Sequence, residues 1–103
     1  MSVRVVYLSG QKVPEADARI SIFDSAVMLG DTVTESSRTF GHKPFKLERH
    51  IERLYHSLKV TRIDPGHSRD EMLEITMNLL ADNLPTFDDG EDCWIVHNIS
   101  RGL

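Results

Sequence analysis

A chain of 103 residues has room for one domain, and a domain of that size buries roughly two thirds of the surface its unfolded chain exposes. Its 40% apolar and 27% charged residues are the composition of an ordinary globular protein. Twelve Lys and Arg against sixteen Asp and Glu leave a formal net charge of −4, which argues against nucleic acid and anionic membranes as partners, since both require a basic footprint. The single cysteine, Cys93, excludes an intramolecular disulfide and fits a reducing compartment. No apolar run approaches the ~20 residues of a membrane span. The segment from Met1 to Gly10 carries no small-residue cleavage site of a signal peptide. The sequence therefore predicts a soluble, cytoplasmic protein.

In chain order, Val3 to Leu8 is β-branched and aromatic and closes in a turn at Ser9-Gly10. Gln11 to Val13 reads as a short return strand ended by Pro14, and Ile20 to Phe23 as another brief strand stopped at Asp24-Ser25. Thr32 to Phe40 is the clearest extended segment. Gly41-His42 turns it into Lys43-Pro44-Phe45, with Pro44 confined to an edge or a strand start. Helical spacing begins at Leu47, where Leu47, Ile51, Leu54, Tyr55 and Leu58 fall on one stripe. Asp64-Pro65-Gly66 breaks the chain, and Ser68-Arg69-Asp70-Glu71 has the spacing of a capping box. The second helix carries Met72, Ile75, Thr76, Leu79 and Leu80 as its stripe and stops at Leu84-Pro85. Cys93 to Ile99 reads as a last strand. Strands grouped around a helix pair predict an α+β fold: a mostly antiparallel sheet with two helices on one face, spanning 1–103 as a single domain. The chain stops on Ser100-Arg101-Gly102-Leu103, a turn signal with nothing after it; whole domains do end this way, but an Arg-Gly loop more often leads onward, so the residues alone leave truncation and a complete end both open.

Most chemical constellations fail. The five histidines include no His-x-His or His-x-x-x-His pair, and His50 and His56 lie on different helix faces, so no metal site is expected. Neither Gly-x-x-x-x-Gly-Lys nor Gly-x-Gly-x-x-Gly occurs. There is no Gly-x-Ser-x-Gly elbow, and Cys93, in the last strand, reads as a structural thiol. What remains is an anion site. His50, Arg53 and Ser57 share one flank of the first helix, beside its apolar stripe. An arginine placed there can pack its stem and keep its guanidinium free, a planar fork suited to gripping a phosphate with two parallel hydrogen bonds. The alternative is a surface charge partner at i,i+4 spacing.

Several segments together resemble a known family. Tyr7 to Pro14, Ala18 to Asp24 and Gly30-Asp-Thr-Val-Thr-Glu35 resemble the opening of the class IV (fold-type IV) aminotransferases, which include branched-chain and D-amino-acid aminotransferases and aminodeoxychorismate lyases. Pro44 to Leu54 resembles their Leu-x-x-His-x-x-Arg-Leu helix, and the strand running into Ser100-Arg101-Gly102 follows in family order. The resemblance implies that Arg53 holds the phosphate of pyridoxal 5'-phosphate, and that His50 packs or caps. It implies a substrate pocket at Leu29, Thr32, Thr34, Ser36, Arg38 and Arg101. Period-2 alternation independently puts Thr32, Thr34, Ser36 and Arg38 on one face and Val33, Glu35, Ser37 and Thr39 on the other. Leu29 and Thr34 replace aromatic residues common in the family, which implies a differently shaped or roomier pocket.

The chemistry of that cofactor needs a lysine bound to it and a carboxylate that keeps its ring nitrogen protonated. The resemblance places both in a second, larger domain. Lys12, Lys43, Lys46 and Lys59 match no such lysine, so the 103 residues alone are expected to be inactive. The function implied for the parent is amino transfer between an amino acid or amine and a 2-keto acid, in a homodimer. The alternatives are an aminodeoxychorismate lyase of the same fold and a non-catalytic binding or dimerisation module.

Overall fold

A computed structural model describes residues 3–103. Met1 and Ser2, which open the segment weighed above as a signal peptide, lie outside them. The chain begins with strands β1 (Val5–Leu8) and β2 (Gln11–Pro14), an antiparallel hairpin in which Leu8 faces Gln11. Its two-residue loop puts Ser9 and Gly10 at φ 50° and 86°, the double positive φ that matches the right-handed twist of the flanking strands. Pro14 has no N–H to extend the ladder, and a 3-10 turn over Glu15–Asp17 leads the chain away.

The strand expected at Ile20 to Phe23 does not form. The Ser21 hydroxyl accepts the Phe23 N–H at 3.0 Å, and the Ser21 carbonyl accepts the Asp24 N–H at 3.1 Å. Asp24 then accepts the Ala26 N–H at 2.9 Å and so caps a short helix, α1 (Ser25–Leu29), which ends at Gly30 with φ 66°. Local bonds of this kind satisfy the backbone without a partner strand. Ile22 and Phe23 consequently stay exposed.

Strand β3 (Thr32–Phe40) is the middle of a three-stranded sheet with β4 (Lys43–Pro44) and β5 (Trp94–Ser100) on its two sides, all antiparallel. The β3–β4 loop repeats the device of the first hairpin, with Gly41 at φ 57° and His42 at φ 65°. Helix α2 (Leu47–Thr61) buries Leu47, Ile51, Leu54 and Leu58. Helix α3 (Arg69–Asn83) opens on the expected capping box: Ser68 and Glu71 exchange backbone-to-side-chain bonds at 3.1 and 2.9 Å. It buries Met72, Thr76 and Leu80.

One core joins these elements. The α2 leucines and Ile51 meet Ile63 and Met72, with Val33, Ile95 and Ile99 from the sheet packed against them. Both helices therefore cover one sheet face, as the α+β expectation required. The small hairpin is fastened to α3 by Asn83, whose amide accepts the Val5 N–H and donates to the Val5 and Leu79 carbonyls, each at 2.9 Å. Among the described residues, no helix is long and apolar enough to cross a membrane.

Candidate functional site: a buried carboxylate that holds an exposed arginine

Alternation along β3 turns Val33, Glu35, Ser37 and Thr39 toward the helices. Glu35 thereby enters the covered face with only 6% of its side chain exposed. An ionised carboxylate in such a place is costly unless it is paired and hydrogen-bonded. Helix α2 meets that need from two positions one turn apart. His50 Nδ1 lies 2.8 Å from Glu35 Oε1. Arg53 donates from Nε to Oε1 at 3.1 Å and to Oε2 at 3.0 Å, and from Nη2 to Oε1. The arginine hydrogen bonds, seconded by His50, hold the Glu35 pKa down to about 2 against the opposing effect of burial. The same carboxylate raises the Arg53 pKa.

This geometry corrects two expectations. The guanidinium of Arg53 is not wholly free: its Nε/Nη2 edge is taken by Glu35. Its partner is also not at i,i+4 on its own helix, because the acid comes from β3. His50, expected to pack or cap, lies against Glu35 and shares its carboxylate. Yet 66% of the Arg53 side chain is exposed, and among the described residues Nη1 makes no hydrogen bond. A guanidinium offers a second bidentate edge, Nη1/Nη2, on the side away from Nε. That edge can receive a planar or tetrahedral oxyanion while the first keeps its carboxylate.

Beside Glu35 on the neighbouring strand stands His97, its direct cross-strand partner. The Thr76 hydroxyl has one proton and gives it to the Met72 carbonyl at 2.7 Å. His97 Nε2, 2.9 Å from that hydroxyl, must then be the donor. Nδ1 is left a bare acceptor with no partner among the described residues. Burial lowers the His97 pKa, partly offset by the Glu35 charge, so the ring is neutral at pH 7.

The outward face of the sheet carries the other predicted residues. Thr32, Thr34, Ser36 and Arg38 are all exposed there, as alternation required. The Thr34 hydroxyl donates to Asn98 at 2.7 Å and the Thr32 hydroxyl to the Ile99 carbonyl at 3.2 Å. Arg38 lies over the Phe40 ring, 4.1 Å from its centroid, and donates to the Thr39 carbonyl at 3.1 Å. Ser36 and Arg38 join His50, Phe45 and Trp94 around a cleft of about 300 Å³. Leu29 stands apart on α1, 79% exposed. Arg101 is engaged elsewhere: it pairs with Asp31 at 2.7 Å and donates to the Arg62 and Thr61 carbonyls at 3.0 and 2.6 Å. It thus neutralises the carbonyl end of α2. Sequence reading gave Glu35 no role, although an acid among the inward positions of an alternating strand is a signal that something must pair with it.

The chain is 36% identical over 99 residues to the aminodeoxychorismate lyase of Bacillus subtilis, a match covering 96% of the chain and 33% of that protein. Against the D-alanine aminotransferase of Staphylococcus epidermidis it is 31% identical over 78 residues, 76% of the chain and 28% of the relative. The branched-chain amino acid aminotransferase of Escherichia coli superposes with a TM-score of 0.83 at 25% identity, over 98% of this chain and 34% of that one. The chain is a class IV aminotransferase N-terminal domain. No family model matches it. The domain spans about a third or less of the length of the curated relatives it matches.

Proposed function

We propose that this domain is the first part of a pyridoxal-phosphate-dependent aminotransferase that moves an amino group between an amino acid or amine and a 2-keto acid. The observation that carries the proposal is the open Nη1/Nη2 edge of Arg53. The donor chemistry fits the cofactor: a phosphate dianion takes two parallel hydrogen bonds from a planar fork better than from a point charge. When bound, the cofactor supplies an electron sink for charge developing on the substrate carbon. This chain's part is to bind and to shape. Arg53 grips the phosphate. Thr32, Thr34, Ser36 and Arg38 present hydroxyls and one cation along the outward face, with Leu29 at its margin. Thr34 and Leu29, where aromatic residues are common in the family, leave that pocket roomier. Arg101 belongs to the pocket through its loop, which its pairing with Asp31 and the α2 end holds in place.

The lysine and the ring-nitrogen carboxylate come from a second, larger domain, and the enzyme works as a cytoplasmic homodimer. In support of that reading, Lys12 is tied to Asp82 at 2.6 Å and Lys46 lies over Phe45. Elimination by an aminodeoxychorismate lyase is the second reading, supported by the similarity to the Bacillus subtilis protein. The test uses the complete gene product with pyridoxal phosphate, offered amino donors with a 2-keto acid and, separately, aminodeoxychorismate. Amino transfer supports the first reading. Elimination from aminodeoxychorismate without transfer supports the second, and neither activity refutes both.

A further inference from the structure

We infer that Glu35 is a positioning residue: it fixes the Arg53 fork so that the Nη1/Nη2 edge faces the incoming phosphate, with His50 holding the carboxylate in register. The inference rests on the proposal that Arg53 takes the cofactor phosphate. Its support is geometric. An arginine whose side chain is 66% exposed would sample many rotamers, and each binding event would have to order it. Here both carboxylate oxygens engage Nε, and Oε1 also engages Nη2. This clamps the guanidinium plane from one side. The clamp is itself rigid: Glu35 sits in the middle of β3, 6% exposed, with His50 on Oε1 at 2.8 Å. The charge of Glu35 opposes the phosphate. A site built for charge alone would therefore omit it, whereas a site built for orientation needs it.

The experiment measures pyridoxal-phosphate affinity in the complete gene product by equilibrium titration, for the parent and for Arg53→Ala, Glu35→Gln and Glu35→Asp. The expected result is a weakened cofactor in Arg53→Ala, and a Glu35→Gln affinity about three- to tenfold lower than the parent, the size of ordering one long side chain. Glu35→Asp, which keeps the charge on a shorter stem, should fall between. A second readout is the Arg53 Nε–H signal in 15N NMR of the parent, which should be ordered and protected from exchange. If Arg53→Ala binds the cofactor as the parent does, the phosphate reading fails and takes this inference with it. If Arg53→Ala is weak but Glu35→Gln binds as well as the parent or better, only the positioning role is overturned. Should Glu35→Gln not fold, a mobile, rapidly exchanging Nε–H in the parent overturns it, and a protected one supports it.

Discussion

Replacing Glu35 by Gln in the 103-residue chain isolates the energetic weight of the clamp. The folded structure lowers the Glu35 pKa from 4.5 to about 2, and at about 1.4 kcal/mol per unit this corresponds to roughly 3 kcal/mol of preference for the charged form. Arg53 is two-thirds exposed, so solvent screening reduces the usable part to about 1–2 kcal/mol. The sign follows from the depressed pKa. The contribution is fully present above pH 4.5 and is lost as pH falls toward about 2. Urea unfolding followed by circular dichroism at pH 7, 4 and 2.5 should show the parent more stable than Glu35→Gln by about 1–2 kcal/mol at pH 7. The gap should narrow at the two lower values. A gap that stays constant across the series, or a carboxyl carbon of Glu35 titrating near 4.5, would mean that the Arg53 clamp does not hold the carboxylate ionised.

Further outcomes follow from the same structure. Asn83→Ala removes two hydrogen bonds between the first hairpin and α3 and one within α3; it should cost about 2–3 kcal/mol in urea unfolding and speed amide exchange in β1 and β2. Thr76→Val leaves both ring nitrogens of the buried His97 without partners, and should cost about 1–3 kcal/mol by the same measurement. The outward face exposes Trp94, Val96 and Phe40, with Phe45 nearby, and contiguous exposed apolar surface favours association. The 103-residue chain should therefore self-associate in sedimentation, and Trp94→Ser should reduce it.

Much of this fold is legible in the sequence because periodicity and burial agree. The stripe of Leu47, Ile51, Leu54 and Leu58 is the core of the structure, and the alternation of β3 sorts its residues between faces as they are found. Ser68 and Glu71 mark the start of α3 because both halves of the capping box lie within four residues of chain. The misread segment fails for a physical reason. Ile20-Ser-Ile-Phe23 has the composition of a strand, but Ser21 and Asp24 satisfy its backbone locally, and no strand among the described residues pairs with it. The Asp24 and Gly30 that bracket α1 were its available signal. At the site, Arg53 could be singled out from its flank of α2. Its partner could not, because the Glu35 contact joins a strand to a helix eighteen residues on, and only folding brings them together.

In the proposed reading, Arg53 receives a cofactor phosphate on the guanidinium edge that Glu35 leaves open. The most direct measurement is a crystal structure of the complete gene product with pyridoxal phosphate. Phosphate oxygens should lie within hydrogen-bond distance of Arg53 Nη1 and Nη2, with Glu35 still on Nε. A phosphate held by other residues, with Arg53 turned to solvent or bonded to Glu35 alone, would contradict it.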